Sequence, residues 1–363
     1  MAKRIIIAGG GTGGHIFPAI AIANALKKID GETEILFVGA KGRMEMEKVP
    51  QAGFQVEGLD IAGFNRSSLI KNLGLPLKLI RSFLQVRNIF KRFKPDAVIG
   101  VGGYSSYPVL RMAQAKGIPS FIHESNSFAG KSNKMLGRKA TRVFTGTDGM
   151  EKFFPAEKIL VTGNPVRANI ADSTLSREEG IRFFSLDPAR TSLLVVGGSL
   201  GARSINESID NGLDQLLAEG IQVIWQTGKP YAETAKNRIA GKEAVWAGDF
   251  IGKMEYAYAA ADVVIARSGA MTVAELSVAG KPVLFVPFPF AAEDHQTVNA
   301  KALVDKKAAL MLKDDRASNE LVTTIIALLR DRQKMEELKT NISKLAIRNA
   351  DQVIAKEIFK MIR

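Results

Sequence analysis

The sequence predicts two α/β domains in tandem, each a Rossmann-like parallel sheet between helices. Three observations predict it. Short apolar segments alternate with amphipathic helical stretches, the pattern of parallel sheets. The first apolar segment, Ile5 to Ala8, runs into a turn that is glycine from Gly9 to Gly14 except at Thr12, and a helical stretch follows. The second half opens in the same way, with Leu193 to Val196 leading into Gly197-Gly198-Ser199-Leu200-Gly201. The chain has 363 residues, 46% of them hydrophobic, enough for a core in each domain.

Taken in order, strands are expected near 4–8, 33–38, 97–101, 119–122, 142–144 and 159–161, then near 192–196, 221–225, 244–247, 262–265 and 282–286. A turn signal at Gly163-Asn164-Pro165 marks the link. The domains are therefore expected at 1–163 and 164–341, with an amphipathic helix over about 342–363 crossing back to the first. In open α/β sheets ligands bind beyond the carboxyl ends of the strands, so the two domains should face a cleft, one substrate to each.

Composition narrows the function. Cysteine is absent, which removes disulfides, thiol nucleophiles and Cys-based metal sites. The start MAKRIII has no signal-peptide pattern, and no segment approaches the ~18 consecutive apolar residues of a membrane span. A cytosolic protein, or one peripheral on the cytosolic side, is expected. The net charge is +13. Residues 1–165 carry 24 Lys and Arg against 12 Asp and Glu, while 166–363 carry 26 against 25. Residues 61–95 hold eight basic side chains (Arg66, Lys71, Lys78, Arg81, Arg87, Lys91, Arg92, Lys94) and no acid. The first half should thus meet an anionic surface.

The glycine turns point to phosphate. A strand that turns through glycines into a helix presents bare backbone N–H groups at a positive helix end. Gly9, Gly11 and Gly14 satisfy the dinucleotide pattern, but any glycine-rich turn would. That reading also needs an acid at the end of the second strand, where Gly39-Ala40-Lys41 stands instead. In the second half, Ser199 either caps a helix or meets a diphosphate. Arg267-Ser268-Gly269-Ala270 turns into a helix expected to begin near Met271 or Thr272. Glu275, in its first turn or so, either complements the helix dipole or accepts the hydroxyls of a ribose. Gln296 and Asn299 share a face of a further helix start.

Gly102, Gly103 and Tyr104 form another glycine-rich turn, and His123-Glu124-Ser125-Asn126 follows another strand end. All three histidines (His15, His123, His295) fall at expected strand ends or helix starts. No spacing among them supports a metal site.

Over residues 76–94 the spacing predicts a helix with two apolar stripes. Leu79, Phe83, Val86, Phe90 and Phe93 make a core stripe. Leu77, Ile80 and Leu84 make a second, rimmed by Arg81, Arg87 and Lys91. The second stripe suits an anionic membrane surface, or else a helix buried on two sides. No nucleic-acid module is visible.

The segments GGGTGGHIFPA, GVGGYSS, HESN, GNPVR, GGSLGAR, RSGAMTVAE and DHQTVNA, in this order and spacing, resemble the MurG family across essentially the whole chain. The resemblance implies the two-domain GT-B glycosyltransferase fold. It implies metal-independent, inverting transfer of N-acetylglucosamine from UDP-GlcNAc to the muramyl 4-hydroxyl of lipid I, giving lipid II for peptidoglycan. No cofactor is implied.

By the same resemblance the donor belongs mainly to the second domain. The backbone of Ile251 would meet uracil, and Glu275 the ribose. Ser199, Arg167 and the turn Ala270-Met271-Thr272-Val273-Ala274 would surround the diphosphate and sugar. Gln296 and Asn299 would read the sugar hydroxyls. Thr12, Gly13, Gly14 and Asn126 would close over the donor sugar from the first domain. The loops of Gly13-Gly14 and Gly102-Gly103-Tyr104 would take the acceptor's pyrophosphate. The implied partners are UDP-GlcNAc, lipid I, the anionic cytoplasmic face of the plasma membrane and other cell-wall synthesis proteins.

An inverting transfer needs one base for the acceptor hydroxyl. His15 is the first candidate, because imidazole titrates near neutral pH, and Glu124 is the reserve. The rivals are a sugar-nucleotide epimerase on the same fold, an NAD-dependent dehydrogenase and a non-enzymatic membrane-binding protein.

Overall fold

The computed structural model describes residues 2–63, 74–198 and 200–362. The chain divides into two compact units, Met1–Arg167 with Asn349–Arg363, and Ala168–Arg348. The division thus falls at Arg167 rather than 163.

The first unit holds seven strands: β1 (Arg4–Ala8), β2 (Glu34–Ala40), β3 (Gln55–Leu59), β4 (Ala97–Gly100), β5 (Ser120–Glu124), β6 (Arg142–Thr145) and β7 (Ile159–Val161). They lie in the order β3-β2-β1-β4-β5-β6-β7, and every pairing is parallel. β1 is a continuous apolar run because both its faces are covered. Ile5 and Ile7 join one core with Ile16, Ile22 and Leu26 of the helix Gly13–Ile29 and with Ile354 and Ile358 of the helix Ala350–Met361. Ile6 and Ala8 join the other, with Val86 and Phe90 of the helix Leu75–Phe93 and Val109 and Leu110 of the helix Ser106–Ala115. The C-terminal helix therefore completes the first unit's core.

The second unit holds β8 (Thr191–Val196), β9 (Ile221–Gln226), β10 (Val245–Gly248), β11 (Val263–Ala266), β12 (Val283–Phe285) and β13 (Leu310–Met311). Their order is β10-β9-β8-β11-β12-β13, again all parallel. Its core gathers Leu193, Val195, Val223 and Trp225 with Ile205, Ile209 and Leu213 of the helix Arg203–Ala218. Trp225 is fully buried and its indole N–H donates to Asn206 Oδ1 at 3.0 Å.

Three features depart from the sequence expectation. β3 and β13 were not expected. β3, Gln55-Val56-Glu57-Gly58-Leu59, is a half-exposed edge strand without an apolar run, and β13 is two residues long. The helix expected over about 342–363 begins later, at Ala350, and runs to Met361, after a separate helix, Arg332–Ser343. Between them Arg348 donates to the carbonyls of Ala171 (2.6 Å) and Val278 (2.8 Å), which ends the second unit.

The helix expected over 76–94 runs Leu75–Phe93. Val86 and Phe90 are buried as expected, together with Ile89, but Leu79 is 37% exposed. Leu77, Ile80 and Leu84 are 55–60% exposed, so the helix is not buried on two sides. Arg66 and Lys71 lie outside the described residues. Among the described residues no helix is long and apolar enough to cross a membrane.

The docking of the C-terminal helix yields a prediction. Ile354 is wholly buried. Ile354→Ala should lower stability by about 2–4 kcal/mol, the usual cost of removing such a side chain from a close-packed core. Urea unfolding followed by circular dichroism checks this. A loss under about 1 kcal/mol would mean the helix packs far more loosely than its burial indicates.

Candidate functional site

In the first unit the site is built around a backbone-to-backbone approach. After β1 the chain passes Gly9, Gly10 and Gly11 at φ values of +147°, +146° and +90°. A Cβ on Gly9 would lie 2.5 Å from the Gly102 carbonyl oxygen, and one on Gly103 would lie 2.6 Å from that of Gly10. Only glycine fits such contacts. The Gly10 N–H donates to Gly102 O at 3.3 Å, joining the loops after β1 and β4.

Glu45 holds this arrangement from beneath. It is 2% exposed, and its carboxylate accepts from the N–H groups of Gly11 (2.8 Å) and Ala40 (2.9 Å). A Cβ on Gly10 or Gly39 would collide with it. Sequence reasoning missed Glu45. The signal was an acid just after the second strand, beside two glycine positions. Its carboxylate is committed to loop N–H groups, so it is not the ribose ligand that a dinucleotide site requires.

Thr12 is exposed at the start of the helix Gly13–Ile29, and its side chain makes no capping bond. The first-turn N–H groups of Gly13 and Gly14 therefore have no capping side chain, at a helix end that favours anions. His15 follows. Its ring lies against Gly102, where a Cβ would come within 2.6 Å of Cε1. Its Nδ1 is buried and makes no hydrogen bond. Burial pushes the His15 pKa down, and the charge of Glu124, the Val101 carbonyl and the charge of Glu45 oppose the shift. The ring is therefore neutral, and able to accept a proton, at neutral pH.

His123, at the end of β5, is fully buried. Burial pushes its pKa down to about 4; the Gly163 carbonyl opposes this, and the proximity of His15 adds to it. Its Nε2 has no partner, and neither do Thr145 Oγ1, at the end of β6, and Asn164 Oδ1, just past β7. Asn164 donates to the Ser125 carbonyl at 3.1 Å.

Glu124 is 3% exposed and accepts four hydrogen bonds, from the N–H and Nδ2 of Asn126, the N–H of Gly130 and Nδ2 of Asn133, at 2.9–3.3 Å. Its lone pairs organise the loop that carries Asn126. Tyr104 accepts at its hydroxyl from Arg43 Nε at 3.1 Å, and Gly102 and Gly103 before it sit at φ +99° and +84°. Arg167, expected beside the donor in the second domain, belongs to the first unit. Its guanidinium lies 4.4 Å from the centroid of the Phe17 ring on the helix Gly13–Ile29.

The second unit repeats the strand–turn–helix pattern. Ser199 lies outside the described residues. Around it, Gly198 and Gly201 take φ +88° and +77°, and a Cβ on Gly201 would lie 2.1 Å from the Thr227 carbonyl oxygen. Gln226, buried at the end of β9, donates from Nε2 to Gly198 O and accepts at Oε1 from the Ile251 N–H, both at 3.1 Å. Ile251 is where the sequence resemblance puts uracil, yet its N–H already has an internal partner.

The helix after β11 runs Ala270–Ala279, so it begins at Ala270, before Met271 or Thr272, and Met271 to Val273 lie in its first turn. Ala274 and Glu275 fall in the second. Glu275 is 7% exposed and accepts from the Tyr258 hydroxyl at 3.0 Å.

Gln296 and Asn299 do share the helix His295–Val304. Gln296 Oε1 accepts from the Phe288 N–H at 3.0 Å, and Asn299 Nδ2 donates to Ser268 O at 3.1 Å. Arg267 braces the same loops. It donates to the carbonyls of Val286 and Pro287, to Asp314 and to Ser204. Gln226 and Arg267 were not read as site residues from the sequence, because long polar side chains facing inward from strand ends leave no periodic signal. His295 starts a helix of the second unit and so does not share a rim with His15 and His123. Among the described residues no group of three His, Cys, Asp or Glu could hold a metal.

Residues 5–145 match the profile of the glycosyltransferase family 28 N-terminal domain, and residues 192–358 that of the family 28 C-terminal domain. The chain is 51% identical over 361 residues, covering 99% of it and 96% of the relative, to a protein of Phocaeicola vulgatus. That relative is named UDP-N-acetylglucosamine–N-acetylmuramyl-(pentapeptide) pyrophosphoryl-undecaprenol N-acetylglucosamine transferase. A crystal structure of MurG from Acinetobacter baumannii superposes with a TM-score of 0.77 at 32% identity, covering 99% of this chain and all of that one. A UDP-GlcNAc 2-epimerase from Neisseria meningitidis gives a TM-score of 0.69 at 14% identity over 99% of this chain and all of that one, a likeness of fold alone.

Two predictions rest on this geometry. Glu45→Gln puts a donor where one of two N–H groups needs an acceptor, and should cost about 1–3 kcal/mol in urea unfolding. An unchanged midpoint would mean that Glu45 does not anchor the glycine loop. His123 is neutral when folded, whereas an unfolded histidine protonates below about 6.5. Its contribution is therefore complete above about pH 6.5 and declines as pH falls towards 4, by roughly 3 kcal/mol in all. Urea titrations across this range should show a fall that is smaller in His123→Asn, and equal slopes would overturn the assignment.

Proposed function

The chain belongs to glycosyltransferase family 28, and we propose that it transfers N-acetylglucosamine from UDP-GlcNAc to the muramyl 4-hydroxyl of lipid I, forming lipid II with inversion at the anomeric carbon. It is a UDP-GlcNAc-dependent hexosyltransferase. The observation that carries the reading is 51% identity along 99% of the chain to a relative named for this transfer. The epimerase alternative rests on structures of 14–16% identity. The dehydrogenase alternative loses its ribose acid to the Glu45 bonds.

In this reading the lipid pyrophosphate binds at the helix start Thr12-Gly13-Gly14 and at Gly102-Gly103-Tyr104, with backbone N–H groups as donors. Arg43, which holds the Tyr104 hydroxyl, adds a cation at the same loop. His15 takes the proton of the acceptor 4-hydroxyl as its oxygen bonds to the anomeric carbon, and UDP departs with the electrons of the broken C–O bond. The lowered pKa of His15 supports this role, since a base must be unprotonated when the reaction starts. Glu124 is the weaker candidate, because four hydrogen bonds already occupy its oxygens. Asn126, on that loop, would close on the donor sugar.

In the second unit the N-terminus of the helix Ala270–Ala279 would offset charge on the diphosphate, with Ser199 at the glycine turn. No metal or other cofactor is needed in this scheme. Glu275 would hold the ribose hydroxyls, Ile251 the uracil, and Gln296 and Asn299 the sugar. Arg167 would act from the first unit. The exposed stripe Leu77, Ile80 and Leu84 with Arg81, Arg87 and Lys91 supports a peripheral attachment to the anionic cytoplasmic face of the plasma membrane. Roles in cell shape and division, and contacts with other wall-synthesis proteins, would follow from that place.

The test is transfer of label from UDP-[14C]GlcNAc to a short-chain lipid I analogue in the presence of EDTA. Label should enter the lipid undiminished by the chelator. Conversion of the donor to another sugar without acceptor would overturn the reading in favour of the epimerase. His15→Ala should cut turnover about 10²–10⁴-fold with UDP affinity retained. A loss of only a few fold would exclude His15 as the base.

A further inference from the structure

The second unit has a recess at the end of its sheet opposite the glycine turn. It is an open recess of about 490 Å3 at the amino ends of β8, β11 and β12, where Thr191, Asp262, Lys281 and Pro282 lie. The helix Arg332–Ser343 supplies the facing wall through Arg332, Met335 and Lys339. Five basic and two acidic side chains line it.

The acids neutralise only part of the basic charge. Asp262 is taken by Arg177, whose Nε and Nη2 donate to its two oxygens at 2.9 and 2.8 Å. Such a bidentate pair is strong and directional, and it fixes that wall of the recess. Glu336 stands 4.0 Å from Lys339 with both side chains well exposed, a pair of little energy. Arg190 pairs loosely with Asp187 at 3.5 Å. Among the described residues neither Lys281 nor Arg332 has an ion-pair partner.

Lys281 is the focus. Its ammonium donates to the carbonyls of Ala261 at 2.8 Å and Ala259 at 3.4 Å. Two of its three protons are so used. Burial pushes its pKa down to about 8, Asp262 opposing and Lys339 and Arg177 adding to the fall. A cation desolvated among like charges is costly, and an anion in contact with it offsets the cost. The apolar side chains of Leu329, Met335 and Pro282 add a surface for an uncharged portion of a ligand. The volume falls within the range of small-molecule sites.

We propose that this recess binds a phosphorylated small molecule bearing at least two negative charges, with its phosphate held by Lys281, Arg332 and Lys339. Arg332 offers a planar fork to two phosphate oxygens, and the two ammonium groups act as point charges. The recess lies at the strand ends opposite the turn that carries Gly198 and Gly201, so its ligand and UDP can be bound together. The proposal does not depend on which sugar the enzyme transfers.

Inorganic pyrophosphate is the probe, titrated calorimetrically into the full chain at low salt with UDP saturating. The wild type should bind it. Arg332→Ala/Lys339→Ala, both exposed positions, should weaken that binding about tenfold or more while UDP affinity stays the same. Lys281→Met, if it folds by circular dichroism, should do likewise. Lys236→Ala/Lys313→Ala removes the same charge elsewhere on this unit and should bind as the wild type does. The proposal is overturned if the wild type binds no pyrophosphate, if the Arg332/Lys339 variant binds it equally well, or if the control loses as much.

Discussion

The first unit depends on one close approach, that of the Gly9–Gly10 backbone to the Gly102–Gly103 backbone. A Cβ on Gly9 or Gly103 would stand 2.5–2.6 Å from a carbonyl oxygen of the facing loop, so neither loop can accept a side chain there without parting from the other. That contact places the first helix start and the His15 ring. It sets the path from β1 into the helix Gly13–Ile29, and so the direction of the bare N–H groups at its start. It also presses the His15 ring against Gly102, which strips water from Nδ1 and keeps the imidazole neutral. The glycines do more than permit a turn. They remove the atoms that would hold two strand ends apart, and a histidine takes the space gained.

The polar groups beneath these loops fall into two kinds. Glu45 and Glu124 are bonded at both oxygens, each carboxylate gathering backbone or amide N–H groups that would otherwise lack acceptors. His15 Nδ1, His123 Nε2, Thr145 Oγ1 and Asn164 Oδ1 are buried without partners. Carboxylates bonded in this way rigidify, because each lost bond would leave a desolvated group. Unpartnered polar atoms store the opposite tendency, a readiness to take a bond or a proton. The base proposed for the transfer comes from the second kind, and the groups that order the loops after β1 and β5 come from the first.

Much of this was legible in the sequence, for definite reasons. Buried parallel strands write themselves as apolar runs, so Ile5 to Ala8 and Leu193 to Val196 were plain. β3 was not, because an edge strand with Gln55, Glu57 and Gly58 has no run to show. The turns were legible because glycine tracts are rare and mechanically specific. Arg167 reads from the sequence as part of the wrong unit, since a linker gives no sign of which side its side chain packs on, and here Phe17 decides it. The second unit extends past its expected end because Arg348 caps it through carbonyl bonds to Ala171 and Val278, distant in sequence. Glu45, Gln226 and Lys281 share that invisibility. Each acts through partners that only the fold brings near.

The two glycine turns solve one mechanical problem with different charge. In both, a buried side chain from a neighbouring helix or strand ties the turn to an adjacent segment. In the first unit it is a carboxylate, Glu45, accepting from Gly11 and Ala40. In the second it is an amide, Gln226, donating to Gly198 and accepting from Ile251. The amide does the bracing without adding negative charge beside the turn. A leaving nucleoside diphosphate gathers negative charge as the bond to the sugar breaks, and with no metal to absorb it a carboxylate at that turn would raise the barrier. In the proposed transfer the sign beside the first turn matters in the other direction, since a buried carboxylate favours the imidazolium that His15 would become on taking a proton. Glu45 is among the charges that raise the His15 pKa against its burial. The choice of acid in one brace and amide in the other therefore fits the charge that each half of the proposed reaction would develop.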